Sequence, residues 1–401
     1  MSTSIGDRIR NLREFRDVTQ EQLAQRAGVS VDTVRKLEQG SRQSARINTL
    51  RALARALDVQ LERLVGQPTV TQELSDDGGL IALRDAIQDV SALPGVLADD
   101  DIEDPPDEGS WADAVRAATR LYWAGELSEL SSTLPLLLRD GRAVARETGT
   151  EPVWQQLALA YQLAASLAAQ AGHPDWAFQA VEKQLAADRK ASDPLAEGMG
   201  VSTLSWVLLR QGRWEQAQRV AETKADALEP SIRRATAARY AVYGNLLVAA
   251  ATPAARGGNQ SGAQQLLNYA ECAATRSGAV RVYGSAFSVT DVRTQQVNIA
   301  LAGEESRPGE ALRLSARVDV GAISRPVHAA SHRVDVAQAQ YETGDGNGAL
   351  ATLLEVESQQ PEWIKFQTLA ATTVREMLED ERRRNTRLRG LASRLGVDPA
   401  L

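Results

Sequence analysis

The chain of 401 residues offers three histidines, one cysteine and one glycine-rich hexapeptide as places where side chains could do chemistry. His328 and His332 stand four apart and would share a helix face, the spacing at which two imidazoles can reach one metal ion. They have no HExxH frame and no third ligand at a matching distance in sequence, so no metal site is expected. His173 falls in a turn and reads as a polar corner. Cys272 has no histidine placed to activate it and reads as a small helix-packing residue. The stretch GGNQSG lacks both the lysine of a phosphate-binding loop and a strand before it. The expectation is a protein that is not an enzyme and has no cofactor.

Charge is spread unevenly. Residues 1–66 carry twelve Arg and Lys against eight Asp and Glu, a net +4, which leaves −11 of the formal −7 for the remainder. A small basic head therefore precedes a large acidic body, the balance expected where only the head meets a polyanion. The single cysteine rules out an intrachain disulfide. No apolar run approaches the ~18 residues of a membrane span, so the expected location is cytoplasmic, with no membrane partner.

Residues 19–40, TQEQLAQRAGVSVDTVRKLEQG, carry a helix, a corner and a second helix. Thr19 is placed to cap the first helix with Gln22 reaching back, and Leu23, Ala24 and Ala27 form its inward stripe. Gly28 ends it, because glycine takes positive φ without a side-chain clash. Ser30 caps the next helix, and Val34 and Leu37 turn its apolar face back onto the first. Ala24 lets the two approach. This is the spacing of a helix-turn-helix; the alternative is a helical hairpin used only for protein contact.

On these residues the stretch 5–66 resembles the five-helix DNA-binding domain of the Cro/C1-type (XRE) repressors, with the closing helices TLRALARALDV and LERLV also in order. The resemblance implies an internal ion pair between Arg13 and Glu38. It implies that Gln20 holds a phosphate and that Val31, Asp32, Thr33 and Lys36 face base edges. It places Arg35, Arg42, Gln43 and Arg46 near the DNA backbone or minor groove. Val31 and Asp32 stand where paired glutamines often occur in phage repressors, so the preferred DNA sequence does not carry over. Asp32 has two readings: acceptor from a cytosine, or a charge that favours the helix N-terminus.

Residues 67–110 read as a linker, with an amphipathic helix in LIALRDAIQDV and an acidic run, ADDDIEDPPDEG, that lacks the ordered spacing of a calcium loop. From Trp111 to the end, glycines at 125, 172, 212, 258, 303 and 344 recur every 40 to 47 residues. A small alanine follows four of them at one offset (Ala177, Ala217, Ala263, Ala349), and Ala311 follows after three extra residues. The offset resembles the tetratricopeptide repeat, although that unit is ~34 residues long; HEAT-like pairs are the alternative on period alone. No segment shows a run of alternating β-branched residues. The expected fold is all-α: a five-helix helix-turn-helix domain (1–66), the linker (67–110), and an α-solenoid of tetratricopeptide-like helix pairs (111–401) for effector binding and dimerisation.

The first helices of such pairs line a concave face. Here they carry Trp154, Tyr161, Trp206, Tyr240, Tyr243, Asn245, Gln296, Asn298 and His332, aromatic and amide side chains suited to a peptide or small organic molecule. The plan as a whole is similar to peptide-sensing regulators that join a Cro/C1-type head to tetratricopeptide repeats. That resemblance implies a homodimeric transcriptional regulator on double-stranded DNA bearing an inverted repeat, with half-sites ~34 Å apart. The alternatives are an interaction scaffold with a weakly DNA-binding head, and a repressor that takes no ligand.

Overall fold

The computed structural model describes residues 4–41, 45, 47–59, 61–65, 79–89, 105–231, 234–302, 306–380 and 385–398. Five helices make the head: α1 (Ile5–Phe15), α2 (Gln20–Ala27), α3 (Val31–Glu38), α4 (Ile47–Ala56) and α5 (Leu61–Val65). The capping box expected at Thr19 forms, with Gln22 N–H donating to the Thr19 hydroxyl and the Gln22 carbonyl oxygen accepting from Thr19 N–H. Gly28 closes α2 at φ 64°, and the Ser30 hydroxyl accepts from Thr33 N–H to start α3. Leu23, Ala24, Val34 and Leu37 meet Ile9, Leu50, Leu53 and Leu57 in one small core.

The body begins earlier than the repeat pattern suggests. Helix α6 (Gly79–Ile87), within the stretch expected to be a linker, buries Leu80, Leu83 and Ile87 in the same core as Trp111. Asp107, at the end of the acidic run, is the N-cap of α7 (Glu108–Ala124), where its carboxylate accepts from Ser110 N–H. Six helix pairs follow in order: α7 with α8 (Leu127–Thr148), α9 (Glu151–Gln170) with α10 (Pro174–Lys190), and α11 (Pro194–Arg210) with α12 (Trp214–Leu228). The next are α13 (Ala237–Arg256) with α14 (Gln260–Ser277), α15 (Val289–Leu301) with α16 (Pro308–Ser315), and α17 (Pro326–Glu342) with α18 (Gly346–Gln359). A 3-10 turn at Trp363–Phe366 leads into α19 (Thr368–Glu379) and α20 (Thr386–Arg394). Gly125, Gly172, Gly212, Gly258 and Gly344 all take positive φ at the corners, while Gly303 lies outside the described residues. Ala177, Ala217, Ala263, Ala311 and Ala349 are fully buried, as close helix contact at the start of each second helix requires.

Three features depart from the sequence expectation. A two-stranded hairpin, β1 (Val280–Val282) paired antiparallel with β2 (Ser285–Phe287), interrupts the helical array between α14 and α15. Its two-residue turn puts Tyr283 at φ 47° and Gly284 at φ 73°, the paired left-handed conformation that suits the twist of a tight hairpin. Secondly, the array curls until its ends meet. Trp123 on α7 lies edge-on to His328 on α17, with ring centroids 4.8 Å apart, and Ser128 N–H donates to Glu362 at 3.0 Å. Thirdly, Cys272 is exposed on α14 and packs no helix, since Ala270, Ala273 and Ala274 form the buried stripe there.

The head rests on the body through α4. Arg51 donates from Nη1 to the Leu301 carbonyl at 2.8 Å and from Nη2 to Gln338 Oε1 at 3.3 Å, joining α4 to α15 and α17. Burial, with Arg256 nearby, pulls its pKa down to about 10, so it stays charged at neutral pH facing Glu342, Asp335 and Glu376. Among the described residues no helix is long and apolar enough to cross a membrane.

Candidate nucleic-acid interface and the chamber behind it

The outer edge of α3 faces solvent. Asp32, Arg35 and Lys36 are exposed and Val31 and Thr33 half-buried, whereas Val34, Leu37 and Glu38 turn inward. Lys36 Nζ lies 2.7 Å from the Asp32 carboxylate, an i,i+4 pair with both side chains more than half exposed. Such a pair is worth only ~0.3–0.5 kcal/mol, so it yields easily to another partner. α4 holds the head to the body, and the row Val31, Asp32, Thr33, Lys36 is left uncovered by the body. Arg42, Gln43 and Arg46 lie outside the described residues.

Behind that edge sits the expected ion pair. Arg13 donates from Nε to Glu38 Oε1 at 2.7 Å and from Nη2 to Oε2 at 3.0 Å, a two-pronged contact that ties α1 to the end of α3. Arg13 Nη1 also donates to the Val18 carbonyl at 3.0 Å. Burial works against the Glu38 carboxylate, but hydrogen bonds from Arg13 and Gln20 outweigh it and hold its pKa below the ordinary range. Gln20, at the first position of α2 and half-buried, is the second donor. Its Nε2 donates to Glu38 Oε2 at 2.7 Å, because a buried carboxylate needs more donors than one guanidinium supplies.

The second site is a cavity of about 420 Å³ on the concave face, bordered by α7, α9, α11, α13, α15, α17 and the hairpin. Trp206, Asn245 and Asn298, three of the residues expected there, do border it. The other six do not. Trp154 packs under Lys190, whose Nζ is 4.0 Å from the ring centroid, and Tyr161 is buried in the core beside Arg142. Tyr240 and Tyr243 pack on the second core, Gln296 donates to Glu271 at 3.2 Å, and His332 is buried at 3% exposure. Helical phase is the reason for all but His332, which stands four after His328 and is covered by packing at the edge of the stripe. On α13 the cavity takes Asn245, Val248, Ala249, Thr252 and Arg256, and on α17 it takes His328, Ser331 and Asp335. A residue one step out of such an i, i+3, i+4, i+7 stripe points about 100° away.

The stripe also brings in residues that aromatic and amide content alone did not single out. Asp335 takes both its hydrogen bonds from Asn298, at 3.1 and 3.2 Å; burial raises its pKa to about 6 despite those bonds and the nearby Arg51 and Arg256. His328 is pushed down to about 4 by burial and by Arg325, so it is neutral at physiological pH. Burial also raises Asp291, against the Ser288 hydroxyl and Arg325. Phe287 forms the hairpin's share of the wall, pressed on Gly244, where a Cβ would fall within its ring.

Residues 4–65 match the helix-turn-helix domain family. Over 70 residues the chain is 36% identical to the immunity repressor protein of Bacillus phage phi105, a stretch of 18% of this chain and 48% of that protein. The chain therefore spans about half the length of this curated relative. The crystal structure of ComR from S. thermophilus in complex with DNA and its signalling peptide ComS aligns over 89% of this chain and 99% of that one. Its sequence identity is 12% and its TM-score 0.32. Residues 4–65 are thus a helix-turn-helix domain, and a helical-repeat body follows it.

Proposed function

We propose that the chain is a sequence-specific DNA-binding transcriptional regulator whose body responds to an effector in the concave cavity. The observation that carries the reading is the solvent-facing row Val31, Asp32, Thr33 and Lys36 on a helix-turn-helix domain that meets its own body through α4. A helix presented in this way reads base edges from its first residues, while neighbouring basic groups set register on phosphates. Arg35, Arg42, Gln43 and Arg46 take that second role, and Gln20 joins them if DNA draws it from Glu38. The basic head and acidic body favour contact by the head alone.

A single head buries little DNA, so the functional unit is a homodimer on an inverted repeat, with recognition helices ~34 Å apart. Arg51 supplies the link to the effector, because Gln338, which it contacts, follows Asp335 of the cavity wall by one helical turn. A ligand that favours one setting of α17 over another shifts the position of the head by that difference in affinity and no more.

Capture of genomic fragments by the full-length chain, followed by gel shift on the enriched sequence, tests the reading. A recurrent inverted repeat bound as a two-chain complex is the expected result. Binding with no sequence preference would turn the chain into a scaffold with a nonspecific head.

A further inference from the structure

The cavity is walled in ways that an open solenoid groove is not. One end is closed where α7 meets α17 through Trp123 and His328. The hairpin, whose second strand borders the cavity, is fastened at its tip at two places: Trp123 Nε1 donates to the Gly284 carbonyl at 3.1 Å and the Tyr283 hydroxyl to Asp193 at 2.7 Å. Gly284 sits so close to Leu159 that a Cβ there would collide with it. What remains, about 420 Å³, lies near the lower end of the ~300–1,000 Å³ of small-molecule sites. An extended peptide of five residues needs ~17 Å of clear groove.

The wall chemistry is specific. The side chains of Gln162, Ser202, Thr252, Gln295 and Ser331 border the cavity and make no hydrogen bond to the described residues, so their donors and acceptors are open to a guest. Asp335 accepts from Asn298 on both oxygens with Arg51 and Arg256 nearby, and Asp291 Oδ2 accepts from the Ser288 hydroxyl, while Asp291 Oδ1 is buried without a hydrogen-bond partner among the described residues and is an acceptor that a ligand hydroxyl would fill. The wall carries both signs of charge, Arg256 beside Asp335 and Asp291, so it favours no net charge on a ligand. Side-chain amides and hydroxyls both donate and accept, as a hydroxyl group does, and Trp206 and Phe287 add apolar area beside them.

We infer that this chamber takes a compact, uncharged, polyhydroxylated molecule of mono- to disaccharide size, held by the amide and hydroxyl stripe beneath the hairpin, and does not take an extended peptide. The inference rests on the reading of the cavity as an effector site. It is tested without DNA, by calorimetry and thermal shift on the full-length chain. The probes are glucose, galactose, N-acetylglucosamine, maltose and trehalose, with glucosamine, glucuronate and a pool of random linear heptapeptides as the other arms. The expected result is saturable one-to-one binding of a neutral sugar, at least about tenfold weaker in Gln295→Leu or Thr252→Val, each of which removes one polar partner. Circular dichroism and the ligand-free Tm show whether each variant folds; if one does not, Ser202→Ala takes its place. Preference for a charged sugar, binding of the peptide pool, or no saturable heat from any neutral sugar up to its solubility limit overturns the inference. A sugar that binds but leaves operator affinity unchanged upholds the ligand class and overturns the effector reading, so the two failures are distinct.

Discussion

Arg51 of the helix-turn-helix domain and Leu301 of the body are 250 positions apart in sequence, and the guanidinium of the first donates to the carbonyl of the second at 2.8 Å. The same side chain reaches Gln338, so one residue of α4 spans the carboxyl end of α15 and the middle of α17. Replacing it with alanine leaves two acceptors without a donor, at ~1–3 kcal/mol for each that stays buried. Arg51→Ala should free the head from the body while leaving the fold of the head intact. Limited digestion with a glutamate-specific protease should then cut after Glu73, between the head and the body, faster than in the parent chain, and small-angle scattering should show a larger radius of gyration. An unchanged digestion pattern counts against a latch at this position.

The Arg13 and Glu38 contact should be visible in pH dependence. Because the folded pKa of Glu38 lies below the ~4.3 of an unfolded glutamate, its contribution is complete above that value. It is lost as pH falls through the lower, folded value. Arg13→Ala leaves a buried carboxylate with Gln20 as its main partner and should destabilise the head by on the order of 3 kcal/mol at neutral pH. Amide hydrogen exchange in α1 to α3 measures it: protection should fall in the variant at pH 7, and the gap between variant and parent should narrow on acidification. Equal protection at pH 7 would remove the pair from the account.

Lys36 distinguishes base reading from phosphate binding. Lys36→Ala should cost ~1–3 kcal/mol on the preferred operator and relax preference at one base position. It also releases Asp32 from its exposed ion pair, so tolerance at the neighbouring position should change too. Uniform weakening on all sequences, with a smaller salt slope, makes Lys36 a phosphate contact instead.

Gly244 lets the tip of the Phe287 ring come up against α13, since any side chain there would enter the ring. Gly244→Ala should push the hairpin outward and lower stability by about 1–3 kcal/mol through overpacking. Differential scanning calorimetry of the full chain reads the loss, and tryptophan fluorescence reports displacement around Trp123, which the hairpin tip engages. A variant with the parent's Tm and spectrum would show that the hairpin adjusts freely.

Much of this architecture was legible in residue order. Gly28 and Ser30 marked a sharp corner, and the alanines at 177, 217, 263, 311 and 349 marked the helix pairs, because close approach and positive φ tolerate few residue types. The hairpin was not legible. Its strands are three residues each, and Tyr283 occupies a conformation that tyrosine rarely chooses alone; the hydrogen bonds of Tyr283 and Gly284 to distant helices hold it there. The cavity wall was legible in kind more than in position. Aromatic and amide content pointed to the right helices, but phase chose Gln295 over Gln296, and tertiary packing left His328 at the cavity while burying His332 on the same helix face. Arg51 carried no local signal, since its partners are set by how the head seats on the body.

The central claim is that α3 reads DNA sequence. Its most direct test is selection of random duplexes by the full-length chain, run in parallel with an Asp32→Ala, Lys36→Ala double variant. The account predicts one inverted-repeat motif from the parent, and a motif altered or lost at the matching positions of both half-sites in the variant. The same motif from both proteins, or none from the parent, contradicts it.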